Sequence, residues 1–254
     1  MKKIKYFYCG GDLHGDWRPI RNWVVNELST PKEESALILL GDVGANYYLN
    51  KRDREFKEQL NKLGIEIYCL RGNHEMRISD AKNYGNYRQY YNINVKGDVW
   101  IEEGYPNIRY FKDEGGIYKI QGKSILTIPG AYSVDKYYRL RMGWSWFPNE
   151  QLSIKEWHML EDLIKDKQFD YIFAHSCPHS WEPYIDDLFL NSINQNEVNK
   201  DTEDFIDDIL HDYLYYQYDH FYFGHFHDDR DIPEVKATML YKKIIPLGEY
   251  IKET

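Results

Sequence analysis

Little in this sequence suits a disulfide framework, a membrane span or a nucleic-acid groove. Its three cysteines, Cys9, Cys69 and Cys177, are an odd number without a C-x-x-C pair. That excludes a paired-cysteine metal motif, and the expectation is small buried thiols in a reducing compartment. No stretch approaches the roughly 18 apolar residues of a spanning helix. The opening residues MKKIKYFYCGGDLHG lack the apolar run of a signal peptide. The cytoplasm is therefore the expected compartment, with no membrane partner. Basic charge is also short: 32 Lys and Arg stand against 41 Asp and Glu, a net charge of −9. A surface that displaces counterions from a nucleic-acid backbone needs the opposite balance, so duplex DNA or RNA is not an expected partner. An anionic substrate stays open, because bound metal ions can reverse the local field. Internal repeats and Pro/Gly/Ser linkers are missing too, which leaves residues 1–254 as one expected domain.

What is present is the material of a layered core. Hydrophobic residues make up 43 % of the chain, enough for a sizeable interior. Lys5–Cys9 reads as a strand ending at Gly10 and Gly11, and Ile20, Trp23, Val24 and Leu28 follow at helical spacing. Ala36–Leu40 is a continuous apolar run, as in a strand buried on both faces. Phe56, Leu60 and Leu63 mark a second helix, and Ile65–Leu70 a third strand. This rhythm predicts an α/β sheet with helices packed on it. Beyond Met76 the pattern loosens. Gly116–Ile120 and Ser124–Ile128 flank Gln121-Gly122 as a hairpin, and Pro129–Gln151 reads as a long irregular stretch. Ser153-Ile154-Lys155-Glu156 is a capping box that opens a helix through Trp157, Leu160 and Ile164. Tyr171–Ala174 and His220–Phe223 read as strands, Ile244–Ile251 as another. The acidic stretch near Asp201–Asp212 reads as a solvated helix face.

The informative residues stand where strands end. Gly11-Asp12-Leu13-His14-Gly15, Gly41-Asp42-Val43-Gly44 and Arg71-Gly72-Asn73-His74-Glu75 follow the first three strands. Ala174-His175-Ser176 and Gly224-His225-Phe226-His227 follow two later ones. Ligands of open α/β sheets sit beyond the carboxyl ends of strands, so these loops are expected to converge. Asp and His offer the oxygen and nitrogen donors that suit borderline divalent metals. In Asp12-x-His14 and His225-x-His227, a one-residue gap in an extended segment puts both side chains on one side, able to reach a metal together.

In this order, the motifs resemble the signature of the calcineurin-like metallophosphoesterases: DxH, GDxxD, GNH(E/D), a lone H, then GHxH. The resemblance runs from Asp12 to His227. It implies a sandwich of two mixed β-sheets flanked by helices, with two divalent ions (Mn favoured; Fe, Zn or Ni alternatives) at the sheet edge. It further implies Asp12, His14 and His227 on the first ion, Asn73, His175 and His225 on the second, and Asp42 bridging both. His74 would stay off the metals as the proton donor, while a water shared by the ions becomes the nucleophile. One position departs from the signature. The second acid of GDxxD falls at position 45, which is Ala45, followed by Asn46, and this leaves open what orients His74.

The implied activity is hydrolysis of a phosphate ester in a small molecule, nucleotide or phosphoprotein. Monoesters come first because His74 is available to protonate a leaving alkoxide. Diesters and nucleotide pyrophosphates are alternatives on the same core, and a metal-binding scaffold without turnover is the non-enzyme alternative. Arg71 is a candidate phosphate contact or a surface ion pair. Lys136, Arg139 and Arg141 are a candidate clamp above the metals, or a solvated loop. Trp144 and Trp146 are expected in core packing rather than on a ligand ring. Cys177 lies near His175 but outside the signature, and His158, His179, His211 and His220 carry no motif.

Overall fold

A computed structural model describes residues 3–189 and 193–249. Two mixed sheets pack face to face, with helices on both outer sides. The strands of the first sheet are β1 (Tyr6–Gly10), β2 (Ser35–Leu39), β3 (Glu66–Cys69), β4 (Tyr87–Asn92), β5 (Gly97–Glu102), β6 (Ile108–Tyr110) and β13 (Ile244–Pro246). They lie in the order β13-β1-β2-β3-β6-β5-β4. The second sheet contains β7 (Gly116–Ile120), β8 (Lys123–Ile128), β9 (Tyr171–Ala174), β10 (His220–Phe223), β11 (Arg230–Ile232) and β12 (Ala237–Met239), ordered β11-β12-β10-β9-β8-β7. The central strands are parallel in both sheets, with antiparallel pairs toward the edges.

The strand period explains the layering. Along β2, Ala36 and Ile38 face inward, joining Phe7 and Cys9 of β1 and Phe173 and Tyr222 of the second sheet. Leu37 and Leu39 face outward against Ile20, Trp23 and Val24 of α1 (Arg18–Asn26) and Phe56 and Leu60 of α2 (Lys51–Asn61). Both faces are covered, which is why β2 is apolar throughout. On the far side, α4 (Ile154–Ile164) and α5 (Asp201–Asp208) cover the second sheet through Leu160, Ile164, Phe205 and Ile206. The capping box that starts α4 is formed: Ser153 Oγ accepts from Glu156 N, and a Glu156 carboxylate oxygen accepts from Ser153 N at 2.8 Å.

The structure departs from the sequence reading in three places. The loose region after Met76 contains β4, β5 and β6, which complete the first sheet. The edge strand β4 is half-exposed Tyr, Arg, Gln and Asn, with no apolar alternation to reveal it. The stretch Pro129–Gln151 is not irregular throughout. It holds a short helix, α3 (Lys136–Met142), whose apolar residues Tyr137, Tyr138, Leu140 and Met142 face solvent, the reverse of an amphipathic signature. The acidic face near Asp201–Asp212 is not wholly solvated either, because Glu203 is buried and accepts from Ser176 Oγ at 2.6 Å. The last strand begins at Ile244 as expected but ends at Pro246, with a turn following it, short of the expected Ile251, which lies outside the described residues.

Candidate metal centre

Six strands deliver the site. The carboxyl ends of β1, β2 and β3 lead into Asp12, Asp42 and Asn73-His74, and those of β9 and β10 lead into His175 and His225–His227. The segment after β8 adds Ser133. Backbone bonds tie these loops together across the sheet edge. Leu13 N and His14 N both donate to Asp42 O at 3.0 and 2.8 Å, and Gly224 N donates to His175 O at 3.1 Å.

The side chains gather into overlapping clusters whose donor atoms lie within 4.8 Å of one another: Asp12, His14 and His227; His14, Asp42 and His74; Asp42, His175 and His225. Nε2 of His14 and His227 are 2.9 Å apart, and His227 Nε2 is 3.3 Å from an Asp12 oxygen. His175 Nε2 sits 2.9 Å from Asn73 Oδ1 and 3.4 Å from Asp42 Oδ1. Its Nδ1 is 2.8 Å from the carbonyl of Leu40 and donates there, which leaves the Nε2 lone pair for the cluster. Close approach needs glycine here. A Cβ on Gly72 would meet Asp42 Oδ1 at 2.0 Å, and one on Gly224 would meet Asp12 Oδ1 at 2.4 Å.

The backbone holds strain at the same residues. His14, Asp42, His225 and His227 all have positive φ (48°, 47°, 70° and 57°), in the left-handed region that costs a non-glycine residue free energy. This corrects the extended-segment reading of the two His-bearing motifs. Tight left-handed turns aim the side chains, and His225 and His227 go to different clusters instead of reaching one metal together.

The electrostatics fit cations. Burial would raise the Asp42 carboxyl, yet the neighbouring His175 and His74 hold it well below the usual carboxylate range. Burial opposes charge on His175, but Asp42 beside it raises its pKa to about 9, so a metal bound at Nε2 would displace the proton held there. Burial, reinforced by His175, keeps His225 well below the ordinary imidazole value. Carboxylate oxygens and converging imidazole nitrogens form the mixed oxygen and nitrogen donor set that borderline divalent metals prefer. The residues present therefore fit a metal centre.

His74 stands at the margin. Its backbone N–H donates to Asp42 Oδ1 at 2.8 Å, while its Nε2 is 3.8 Å from Asp42 Oδ2, beyond hydrogen-bonding distance. Its partner is Arg139 Nη2, 3.1 Å from Nε2. Arginine only donates, so Nε2 accepts and the ring is neutral with its proton on Nδ1. Burial first, and then the Arg139 charge, bring the His74 pKa down to about 4 against the pull of Asp42. Arg139 is completely buried. It is held by Asp135 at 2.7–2.8 Å and donates to Ser133 Oγ at 2.5 Å. Ser133 also accepts from Asn73 Nδ2 at 2.9 Å and donates to Glu150. Where the signature has an acid at position 45, Ala45 is buried. The Glu75 carboxylate accepts from Gly44 N, Ala45 N and Gly72 N, lacing the second and third loops together.

Three expectations about substrate contacts need correcting. Arg71 is neither at a surface ion pair nor free for phosphate. It is buried and donates to the carbonyls of Glu150 (2.6 Å) and Asp113 (3.3 Å). Lys136 turns its ammonium over the Trp146 ring, 4.1 Å from the centroid. Arg139 is not on a solvated loop but packed against His74. Trp144, expected in the core, is 52 % exposed. Ser133, Asp135 and Glu150 have no motif that singles them out, whereas Glu75 had a sequence cue, its place in GNHE. Outside the site, all three cysteines are free and buried. His158, His179 and His211 pair with surface acids, and His220 is buried against Thr238.

Two cavities flank the cluster, and His74 and Asp135 line both. One of about 600 Å³ is walled by Tyr47, Tyr48, Arg52, Arg139 and Trp144. The other, about 450 Å³, runs past Tyr132, Leu188, Phe226 and Glu203.

Comparison with known proteins shows the family. The family described as calcineurin-like phosphoesterase matches residues 7–229. No curated protein matches the sequence. Among solved structures, the phosphopantetheinyl hydrolase of Mycobacterium tuberculosis aligns at 12 % identity over 95 % of this chain and 89 % of its own, with a TM-score of 0.50. A protein of unknown function from Aquifex aeolicus aligns at 15 % identity over 95 % of each chain, TM-score 0.42. A Thermus thermophilus protein aligns at 12 % over 96 % of this chain and 98 % of its own, TM-score 0.47.

Proposed function

Because this chain belongs to the calcineurin-like phosphoesterases, and is thus a metal-dependent phosphoesterase, we propose that it hydrolyses phosphate monoesters, with His74 protonating the leaving alcohol. One observation carries the reading: three donor clusters overlap at Asp42 and His14, and His74 is the third member of the middle one, its Nε2 3.8 Å from Asp42 Oδ2 and turned to Arg139. Asp12, His14 and His227 would hold one divalent ion, Asn73, His175 and His225 the other, and Asp42 both; manganese is the ion we favour. Such a pair supplies an activated water and a positive clamp for the phosphoryl oxygens.

The protein's own groups do the rest. Backbone N–H groups orient the two carboxylates in advance: His225 N donates to Asp12 at 3.1–3.2 Å and His74 N to Asp42 Oδ1 at 2.8 Å. Asp42 Oδ1 anchors the His74 backbone, and Arg139 fixes the ring from its Nε2 side. A second reading, phosphodiester or pyrophosphate cleavage, is favoured by the two cavities, since a monoester has an organic group on one side only.

The test is a panel assay of the manganese-loaded protein on p-nitrophenyl phosphate, bis(p-nitrophenyl) phosphate and a nucleoside diphosphate. Faster monoester turnover supports the first reading and faster diester or pyrophosphate turnover the second. Failure to cleave any of the three overturns both.

A further inference from the structure

Resting on the phosphoesterase reading above, we infer that the 600 Å³ cavity is the leaving-group site, shaped for a flat, nucleoside-sized ring stacked on Trp144 and Tyr48.

The first support is position. The walls of this cavity are the groups that surround the His74 ring: His14 at 4.9 Å between centroids, Tyr47 at 5.7 Å, and the Arg139 guanidinium. His74 lines the second cavity too, but these three neighbours of its ring line the first and not the second, so a proton passed from the ring to a leaving oxygen on their side is passed at the mouth of this cavity. The group leaving with that oxygen occupies the space behind it.

The second support is the unusual exposure of its aromatics. Trp144 is 52 % and Tyr48 41 % exposed, although both have large apolar faces that gain by burial. Neither is a loose side chain. The Trp144 backbone N–H donates to Arg139 O at 2.9 Å, and its indole meets Tyr138 edge-on at 5.5 Å. Thus the residue that presents the indole is tied to the residue that touches His74. In the same cavity wall, the Arg52 guanidinium lies over the Tyr48 ring, 4.9 Å from its centroid, and steadies it. Two half-exposed rings lining one cavity offer a platform for a planar partner, which stacking rewards whatever the ring's identity. Cavities of about 300–1,000 Å³ enclose most of a drug-sized ligand, so this one has room for a base and sugar together.

The experiment compares AMP with ribose 5-phosphate on the manganese-loaded full chain. Both lose a 5′-alcohol, so the chemical step is matched and the difference reads the ring. We expect kcat/KM for AMP to exceed that for ribose 5-phosphate by about five- to a hundredfold, the range of one stacked base. Trp144→Ala should erase most of that preference through KM and leave ribose 5-phosphate turnover and metal content unchanged, while Trp144→Phe retains it. Tyr48→Ala should act in the same direction. Equal rates on the two substrates in the parent protein overturn the inference, as does an equal loss on both in Trp144→Ala. Turnover of p-nitrophenyl phosphate without turnover of AMP overturns it alone. Failure on every ester, nitrophenyl esters included, overturns the phosphoesterase reading and this inference with it.

Discussion

Arg139 Nη2 lies 3.1 Å from His74 Nε2, and the guanidinium that makes this contact is fully buried between Asp135 and Ser133. The residue that orients the candidate proton donor thus comes from α3, far along the chain from the position where the signature keeps an acid. Arg139→Ala is expected to keep both metal ions and to lower kcat about tenfold or more on alkyl phosphates, the scale of one lost positioning contact. It should also cost about 3 kcal/mol of stability, the lower end for breaking a buried pair, since Asp135 is 41 % exposed. Kinetics below the variant's melting transition, with metal analysis, check this. An unchanged kcat would remove Arg139 from the positioning role.

Asp42 and His74 are one hydrogen bond apart but should fail differently. Asp42→Asn is expected to lose metal and activity together, because Asp42 belongs to two of the three donor clusters. His74→Ala should retain metal and lose about 10²–10⁴ in rate on alkyl esters, and less on nitrophenyl esters, which leave without a proton. Metal content per chain and rates on the two ester classes decide it. Equal losses on both classes would exclude His74 as the acid.

Acid stability has a separate, remote contributor. Burial alone would raise Glu156, but Arg77 and the α4 cap hold it at about 2. Its folded-state value is below the unfolded value near 4.5. Its stabilisation is therefore complete above about pH 4.5 and is lost as pH falls toward 2. Glu156→Gln should be less stable than the parent at about pH 7, by a margin that shrinks between about pH 4.5 and pH 2. Urea midpoints at several pH values measure the margin. A margin independent of pH would contradict this origin.

Duplex DNA or RNA is expected not to bind. Backbone affinity rises with the number of phosphates neutralised, and this chain has a net charge of −9. A metal centre is one positive point, enough for one phosphate group. Gel shifts at low salt with His74→Ala protein provide the test. Salt-sensitive binding at micromolar protein would reverse the expectation and bring a nuclease reading forward.

The α/β rhythm, the doubly buried β2 and the α4 cap were legible because each depends on neighbours within a few residues. So were Asp12, His14, Asp42, Asn73, His175, His225 and His227 as candidates, because they follow strand ends, and the chain order of those strands is written in the sequence. The geometry of the turns was not legible: left-handed backbone at His14, Asp42, His225 and His227 is imposed by the contacts around it and leaves no local signature.

What the sequence determined by itself was the inventory of donor groups and the layered fold that carries them to one edge. Tertiary structure alone decided which arginine meets His74 and which braces a loop. Arg71 and Arg139 are alike as residues, and only packing sends one to backbone carbonyls and the other to an imidazole. It also decided that α3 turns its apolar side chains outward and leaves Trp144 beside the candidate site. A short helix is oriented by the few buried contacts it makes, here through Arg139, and not by its own periodicity.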